Sequence, residues 1–334
     1  MLDKISLHNI DSVEKIPIGY KLSRYPQDVI ESLNESARLM SRYSCGTEIR
    51  FVAESNNVCV TLTPLLSGGD ISVFCGDYLV KYVPAEKDKQ VTIMLTRPTT
   101  LNGLDDSFFA NNRFAKNVWR IYFHNSLMVL NSIDAMGGGI RPPKPEELPE
   151  KTMLAYGSSI THGAGAVDHY CCYASTLAKL LGVDLLNKGL GGSCFLEKPV
   201  ADFFSGSDNW DFALLELGVN MLDHFSVEEF DERCTYFIEK MAQTKKTLIL
   251  VTIYPNRNKY SIEKDAYKKT DAFNEIIERN ANKHNNCILI DGKKVLTKTE
   301  FLTADGIHPN TEGHLFMGLN LYNELKENSD IAKL

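Results

Sequence analysis

Four short segments in the second half of the sequence combine glycine with side chains able to take part in covalent catalysis. They are residues 157–163 (GSSITHG), 187–193 (NKGLGGS), 218–220 (GVN) and 305–309 (DGIHP). The first three each follow an apolar run typical of a buried strand, and the fourth precedes a predicted helix. Because ligands of open parallel sheets bind at the carboxyl ends of the strands, we expect the four segments to meet at one rim of a sheet.

The polar residues of these segments are the types that acyl transfer requires. A serine hydroxyl is a weak nucleophile until an imidazole accepts its proton, and the imidazole needs a carboxylate that fixes its tautomer and stabilises its cation. Asp305 and His308 stand three positions apart, so one turn can present both to Ser159. The catalytic residues predicted from this pattern are therefore Ser159, Asp305 and His308.

A tetrahedral intermediate also needs hydrogen-bond donors for its oxyanion. Gly192 allows close approach of a backbone N–H, Asn220 offers a side-chain amide, and the N–H of Ser159 is a third donor. Taken singly, Gly192 is equally explained as a turn glycine and Asn220 as a cap at a strand end. Together with the triad they predict an oxyanion hole formed by Ser159, Gly192 and Asn220.

Two further histidines lie close in sequence to these segments. His162 and His224 are candidates for substrate binding, and a solvated loop histidine is the alternative for each. The eight cysteines are scattered singly through apolar runs, as in a protein with buried, reduced thiols, and give no spacing typical of a zinc site or a disulfide framework. We expect no metal and no organic cofactor.

The second half of the chain alternates strand and helix patterns. Continuous apolar runs such as TMLAYG, DFALLELG and TLILVTIYP alternate with segments of helical periodicity, among them one whose Ser226 and Glu229 fit a capping box. This alternation predicts βαβ units, and hence a parallel sheet with helices on both faces. We expect an α/β protein with a three-layer α/β/α domain over residues 152–334.

The first half has a different pattern. From about residue 48 to 135, short runs rich in Val, Ile, Phe and Tyr alternate with turn residues at a spacing of about ten, which predicts an antiparallel β-sandwich. Residues 28–42 are expected to begin as a short helix and run into a first strand. Residues 136–151 (MGGGIRPPKPEELPEK) contain three glycines followed by four prolines. We therefore predict a sandwich domain over residues 1–140 and a Pro-rich linker over 141–151.

Composition excludes several classes of protein. The 334 residues are 43% hydrophobic and 24% charged, as in an ordinary globular protein, and the formal charge of −7 disfavours nucleic acid as a partner. No apolar run is long enough for a bilayer, so no membrane partner is expected. The first 17 residues lack the basic and apolar regions of a signal peptide, so we expect a cytoplasmic protein. A homo-oligomer is compatible with the sequence.

The four segments resemble the four blocks of the SGNH, or GDSL-type, hydrolases. Ser159 lies at the position of the nucleophile in the first block, Gly192 matches the oxyanion glycine, Asn220 matches the Asn of GxND, and residues 305–308 match the DxxH block. Two positions depart from the family pattern, because Ser158 and Met221 stand where aspartates are usual. The upstream sandwich, with residues 76–79 (GDYL), is similar to the jelly-roll-like N-terminal domain of one branch that includes carbohydrate esterases.

The resemblance implies a serine esterase that acts through an acyl-enzyme. A small-molecule or oligosaccharide ester is the implied substrate, and we expect a sugar O-acetyl group. Tyr78, Tyr82 and Trp119 of the sandwich are candidates for contacting a sugar ring, of which Tyr78 is the first choice, although each residue type is more often found in a core. Two alternatives to this function are a lipid acylhydrolase or thioesterase on the same scaffold and a non-catalytic carbohydrate-binding protein. For the sandwich, the alternative to sugar binding is a domain that only stabilises the fold.

Overall fold

The computed structural model describes residues 1–262 and 267–334, which form two compact units. The first comprises residues 1–27, 41–150 and 182–186, and the second comprises residues 28–40, 151–181 and 187–334. The main change from one unit to the other occurs between residues 150 and 151, at the end of the proline-rich segment. Neither unit is one continuous stretch of chain, because 28–40 group with the second and 182–186 with the first.

Eleven strands are described before residue 150. They are β1 (Ser6–His8), β2 (Ser12–Ile16), β3 (Gly19–Ser23), β4 (Thr47–Ala53), β5 (Asn57–Pro64), β6 (Ile71–Cys75), β7 (Tyr78–Val83), β8 (Val91–Thr96), β9 (Val118–Phe123), β10 (Met128–Asp134) and β11 (Ile140–Arg141). One antiparallel sheet has the order β1-β4-β9-β6-β7, with β11 paired to β4, and the other has the order β2-β3-β10-β5-β8. The first three of these strands lie upstream of the region that the sequence pattern predicted as β-rich.

The two antiparallel sheets share one apolar core, which confirms the predicted β-sandwich. Side chains of a strand alternate between its faces, and in β4 the core side carries Ile49 and Phe51. In β9 the core side carries Trp119, Ile121 and Phe123. The intervening residues of both strands are buried as well, so the opposite face of this sheet is also covered.

That opposite face holds a buried cluster of charges within the first unit. Arg50 donates two hydrogen bonds to Asp184, at 2.5 and 2.9 Å, and one of 2.7 Å to Glu48. Arg120 also donates to Glu48, at 2.8 Å. Burial opposes ionisation of Glu48, but the two arginines outweigh it and hold the pKa of this carboxyl well below its usual range. Each buried charge therefore has partners of opposite sign, as a low-dielectric environment requires.

One segment differs from its sequence-based description. Residues 28–42 hold two short helices, α1 (Gln27–Ser32) and α2 (Glu35–Arg42), and no strand, because Asn34 caps the second helix by accepting a hydrogen bond from the N–H of Ala37. In the proline-rich segment, Arg141 pairs with β4 and forms an ion pair of 2.7 Å with Glu147. Glycine and proline shorten this edge pairing to two residues but do not prevent it.

The third sheet contains the remaining strands, in the order β13-β12-β14-β15-β16. These strands are β12 (Thr152–Tyr156), β13 (Asp184–Asn187), β14 (Phe212–Glu216), β15 (Thr247–Val251) and β16 (Cys287–Ile290). The other described α-helices are α3 (Thr99–Asn102), α4 (Ser159–His162), α5 (Tyr173–Leu181), α6 (Lys198–Ser205), α7 (Val227–Ala242), α8 (Lys268–Ala281), α9 (Gly292–Val295) and α10 (Thr311–Glu327). No helix within the described residues combines the length and apolar character needed to cross a bilayer.

The third sheet confirms the predicted α/β architecture and explains where a site can form. Strands β12, β14, β15 and β16 are parallel, and β14 is buried along its whole length, so helices must cover both faces. Helix α5 packs on α10, and α7 packs on α6 and α8. The chain starts at β12, adds β13 on one side and then continues with β14 on the other. This reversal opens a crevice at the carboxyl ends of β12 and β14.

Candidate active site

Three side chains of the second unit, from segments about 150 residues apart in sequence, form a hydrogen-bonded chain. Ser159 Oγ lies 2.8 Å from Nε2 of His308, and Nδ1 of His308 lies 2.6 Å from Oδ2 of Asp305. Both distances are within the range for general-base catalysis. With the Nδ1 proton directed at the carboxylate, Nε2 is free to accept the proton of Ser159.

The side chain of Asp305 also stabilises the turn that carries Asp305 and His308. Oδ1 of Asp305 accepts hydrogen bonds from the Thr303 hydroxyl at 2.8 Å, the Ile307 N–H at 2.9 Å and the His308 N–H at 3.0 Å. Partial burial opposes ionisation, but the bonds from His308 and the neighbouring N–H groups outweigh it and hold the pKa of Asp305 below its usual range. Asp305 is therefore a carboxylate at neutral pH and can stabilise an imidazolium.

Ser159 is the first residue of α4, directly after β12. Ser158 caps this helix, since its hydroxyl accepts a hydrogen bond of 3.1 Å from the N–H of Ile160. The N–H groups of a first helical turn have no partner within the helix. Ser159 is half-buried, so the residue is not sealed from solvent.

The loop after β13 runs past the serine. A Cβ placed on Gly191 would lie 3.6 Å from the Ser159 Cβ, which brings this loop next to the hydroxyl-bearing residue. Gly192 is exposed, has a φ of +67° that favours glycine, and no atom lies within 4 Å of the Cβ it lacks. Space is thus open beside the Gly192 backbone, which is compatible with a role as oxyanion donor.

Asn220 lies in the turn after β14, where its amide is oriented by a backbone contact. Its Oδ1 accepts a hydrogen bond of 3.2 Å from the N–H of Cys194, in the loop that also carries Gly192. Because the oxygen of the amide is engaged there, its NH₂ group is directed elsewhere and remains a donor. The turn after β14 and the loop after β13 are joined by this bond.

The candidate substrate-binding residues lie in three different environments. His162 is 6% exposed, with its ring 5.5 Å from that of His169, so it is not a solvated loop residue. His224 is exposed and its ring lies 6.1 Å from that of Phe195. Tyr78, in the first unit, donates to Asn112 at 3.2 Å and stacks on a phenylalanine ring.

Two other aromatic candidates of the sandwich differ sharply in exposure. Tyr82 is 43% exposed and donates a hydrogen bond of 2.6 Å to Asp70. Trp119 is fully buried in the sandwich core, so the expectation that it presents its ring to a sugar is wrong. The alternation of β9 places it on the face that the other sheet covers.

Three features of this region were not found from the sequence. Glu216, at the end of β14, is buried and accepts hydrogen bonds from the serine loop; its only signal was an acidic residue inside the apolar run FALLELG. Met40 lies with its sulfur 3.5 Å from the Cβ position of Gly191, and nothing in its helix indicated this. The ring of Phe195 lies 5.0 Å from that of Phe225, so an aromatic pair adjoins Asn220 and His224.

The geometry contains the parts that acyl transfer needs. A hydroxyl contacts an imidazole, and a carboxylate orients that imidazole. An open glycine and an oriented amide follow β13 and β14, the two strands that flank β12. The arrangement is able to remove a proton from Ser159 and to stabilise negative charge on a bound carbonyl oxygen.

Comparison with solved structures shows the same fold in several enzymes. The salicylyl-acyltransferase SsfX3 from a tetracycline biosynthetic pathway has a TM-score of 0.78 at 14% identity, with 99% of this chain and 96% of that chain covered. A family two carbohydrate esterase from Clostridium thermocellum in complex with cellohexaose has a TM-score of 0.64 at 12% identity, covering 98% and 99%. The acetyl xylan esterase Est2A from Butyrivibrio proteoclasticus has 0.61 at 12% identity, covering 99% and 97%.

Sequence comparison assigns the family directly. No curated protein matches this chain. Residues 150–322, more than half of the chain, match the GDSL-like Lipase/Acylhydrolase family. The protein belongs to this SGNH-type family of carboxylic ester hydrolases.

Proposed function

We propose that this enzyme removes short acyl groups, acetyl above all, from carbohydrate hydroxyls through an acyl-enzyme on Ser159. The observation that carries the proposal is the hydrogen-bonded chain from Ser159 through His308 to Asp305, at 2.8 and 2.6 Å. Such a chain allows a serine to attack an ester carbonyl at neutral pH without a metal ion.

In the proposed mechanism, Ser159 Oγ attacks the carbonyl carbon while His308 Nε2 takes its proton. The carbonyl oxygen becomes an oxyanion held by the N–H of Ser159, the N–H of Gly192 and the amide of Asn220. His308, stabilised by Asp305, then gives the proton to the departing alcohol. Water then attacks the carbonyl carbon of the acyl-enzyme while His308 takes its proton. The acid is released as His308 returns the proton to Ser159.

Limited space beside the serine supports a short acyl group. On the side of the Gly191 loop, the ring of His162 and the sulfur of Met40 each lie 3.5 Å from the Gly191 Cβ position, and Ser159 Cβ lies at 3.6 Å. Three groups at van der Waals distance from one point leave little room there for a long chain. This crowding favours a small acyl group such as acetyl over a long one.

Two observations support a carbohydrate alcohol. The fold is shared with a carbohydrate esterase solved with cellohexaose and with an acetyl xylan esterase. Beside Asn220, half-buried Phe195 and Phe225 and exposed His224 form an aromatic surface with a polar edge. Aromatic faces pack on the apolar faces of sugar rings, and a histidine can hydrogen-bond their hydroxyls.

The test compares p-nitrophenyl acetate, butyrate and octanoate, an acetyl thioester and an acetylated xylo-oligosaccharide with the purified enzyme. We expect kcat/KM to fall with acyl length, the oligosaccharide to be deacetylated, and Ser159→Ala to abolish both activities. Ser205→Ala, a substitution of a serine in α6, is the matched control and should behave as wild type. Preference for octanoate or for the thioester would replace the proposal with a lipid acylhydrolase or a thioesterase.

A further inference from the structure

Glu216 is a buried acid that the proposed mechanism does not use. It is the last residue of β14 and only 2% exposed. Its Oε2 accepts three hydrogen bonds, from the Ser158 N–H at 2.7 Å, the Ser158 hydroxyl at 2.8 Å and the Thr161 hydroxyl at 3.0 Å. All three donors belong to the short loop and helix that carry Ser159.

These bonds fix Ser159 from both sides along the chain. Ser158 precedes it and Thr161 follows it by two residues, so one carboxylate oxygen holds both flanks of the residue. Ser158 in turn caps α4 through its hydroxyl. The loop lies directly against this oxygen, because a Cβ on Gly157 would come within 2.5 Å of it.

The surroundings make Glu216 the group in this cluster whose charge can change near neutral pH. Burial raises its pKa to about 7, although the bonds from Ser158 and Thr161 act in the opposite direction. Three titratable groups interact electrostatically with Glu216, namely Tyr173, Tyr254 and Cys194, and burial raises the pKa of each. The Tyr173 hydroxyl lies 2.7 Å from that of Thr161 and extends the network.

We propose that Glu216 is the positioning residue of the nucleophile: through Ser158 and Thr161 it sets the orientation of Ser159 toward His308 without touching the reacting atoms. This inference rests on the proposed function of Ser159. In the SGNH pattern that residues 157–161 resemble, an aspartate is usual at the position of Ser158; here the carboxylate that contacts this loop comes from β14. A shift of the serine by about 1 Å can reduce turnover about 10²-fold, so an anchor of this kind affects kcat rather than binding.

The test uses two conservative substitutions that separate reach from charge. Glu216→Asp keeps the charge but withdraws the oxygen by one methylene, and we expect kcat to fall about 10²-fold with KM little changed. Glu216→Gln keeps the oxygen in place but loses the charge-assisted bonds, and we expect a fall of about tenfold. Thr161→Val removes one donor while keeping the carboxylate, and should give a smaller fall in kcat. Each kcat is calculated from the concentration of active sites, titrated with an organophosphonate. A variant that is partly unfolded therefore does not give a falsely low kcat.

Glu229→Gln is the matched control. Glu229 closes the capping box of α7 at 2.7 Å, so its substitution removes a carboxylate hydrogen bond elsewhere in the same unit. We expect it to lower stability slightly and to leave kcat unchanged. A kcat for Glu216→Asp equal to that of this control would overturn the proposal.

Hydrogen exchange provides a readout that does not depend on activity. In Glu216→Asp we expect faster amide exchange in a peptide covering residues 157–164, and no change there in Glu229→Gln. Unchanged exchange would overturn the positioning role whatever the rates. If wild type hydrolysed none of the esters, the proposed function would fail, and exchange would still decide whether Glu216 holds the loop.

Discussion

Replacing Asp305 by asparagine tests the assignment of the triad most directly. The amide oxygen can keep the three bonds that Oδ1 of Asp305 accepts from Thr303, Ile307 and His308 N–H. The amide NH₂ then occupies the position of Oδ2, 2.6 Å from His308 Nδ1. A donor facing Nδ1 selects the tautomer with the proton on Nε2, which cannot accept a proton from Ser159.

The size of the effect follows from this change of tautomer. The same substitution in a serine protease triad lowers kcat about 10⁴-fold, equivalent to roughly 5.5 kcal/mol of transition-state stabilisation. Because the Asp305 side chain is 44% exposed, water can replace part of the lost acceptor. We therefore expect kcat for p-nitrophenyl acetate to fall between about 10³- and 10⁴-fold.

The assay measures kcat and KM from initial rates at several pH values, with a thermal melt of each protein. KM should change little, since the turn keeps its hydrogen bonds, whereas the melting temperature at neutral pH should fall modestly, since the ionised carboxylate is lost. The stability advantage of wild type over the variant should shrink as pH falls below the ordinary pKa of an aspartate, because the low pKa of Asp305 stabilises the fold only while the carboxyl is ionised. A folded Asp305→Asn enzyme within about tenfold of wild type would refute the assignment of Asp305 as the orienting group.

Three further outcomes are expected. Asn220→Ala should lower kcat about 10²–10³-fold with a small change in KM, measured with the acetate ester, and an unchanged kcat would exclude its amide as an oxyanion donor. Glu48→Gln should lower the free energy of unfolding, measured by urea denaturation, by about 3–5 kcal/mol, because two buried arginines then lose a charged partner. A loss below about 1 kcal/mol is typical of an exposed ion pair and would contradict this expectation. Because the pKa of Glu216 is raised to about 7 from 4.5, the folded state holds a proton there that the unfolded state has released, so wild-type stability should fall as pH rises from 5 to 8. Glu216→Gln should be less sensitive to pH, and parallel curves for the two proteins would contradict this.

The class of each half of the chain and the four segments of the candidate site could be predicted from local sequence patterns alone. Periodicity of two with frequent turn residues is a local property, and so is the alternation of apolar runs with amphipathic helices, which is why the sandwich and the α/β domain could both be predicted. The candidate triad could be named for the same reason. Its residues follow or precede regular elements, and the rule that strand ends share one rim places such segments together without further information.

Which side chains surround those segments depends on packing between distant parts of the chain. In the sequence, Glu216 looks like part of an apolar strand. Its contact with the serine loop depends on the register in which β14 pairs with β12. Met40 reaches the Gly191 loop from a helix near the N-terminus, and Trp119 faces the sandwich core because of the pairing of β9. Contacts between residues distant in sequence arise from strand order and packing, and local patterns carry no information on either. The sequence therefore determined what chemistry the chain can carry, whereas the three-dimensional packing decided what holds the reactive groups in place.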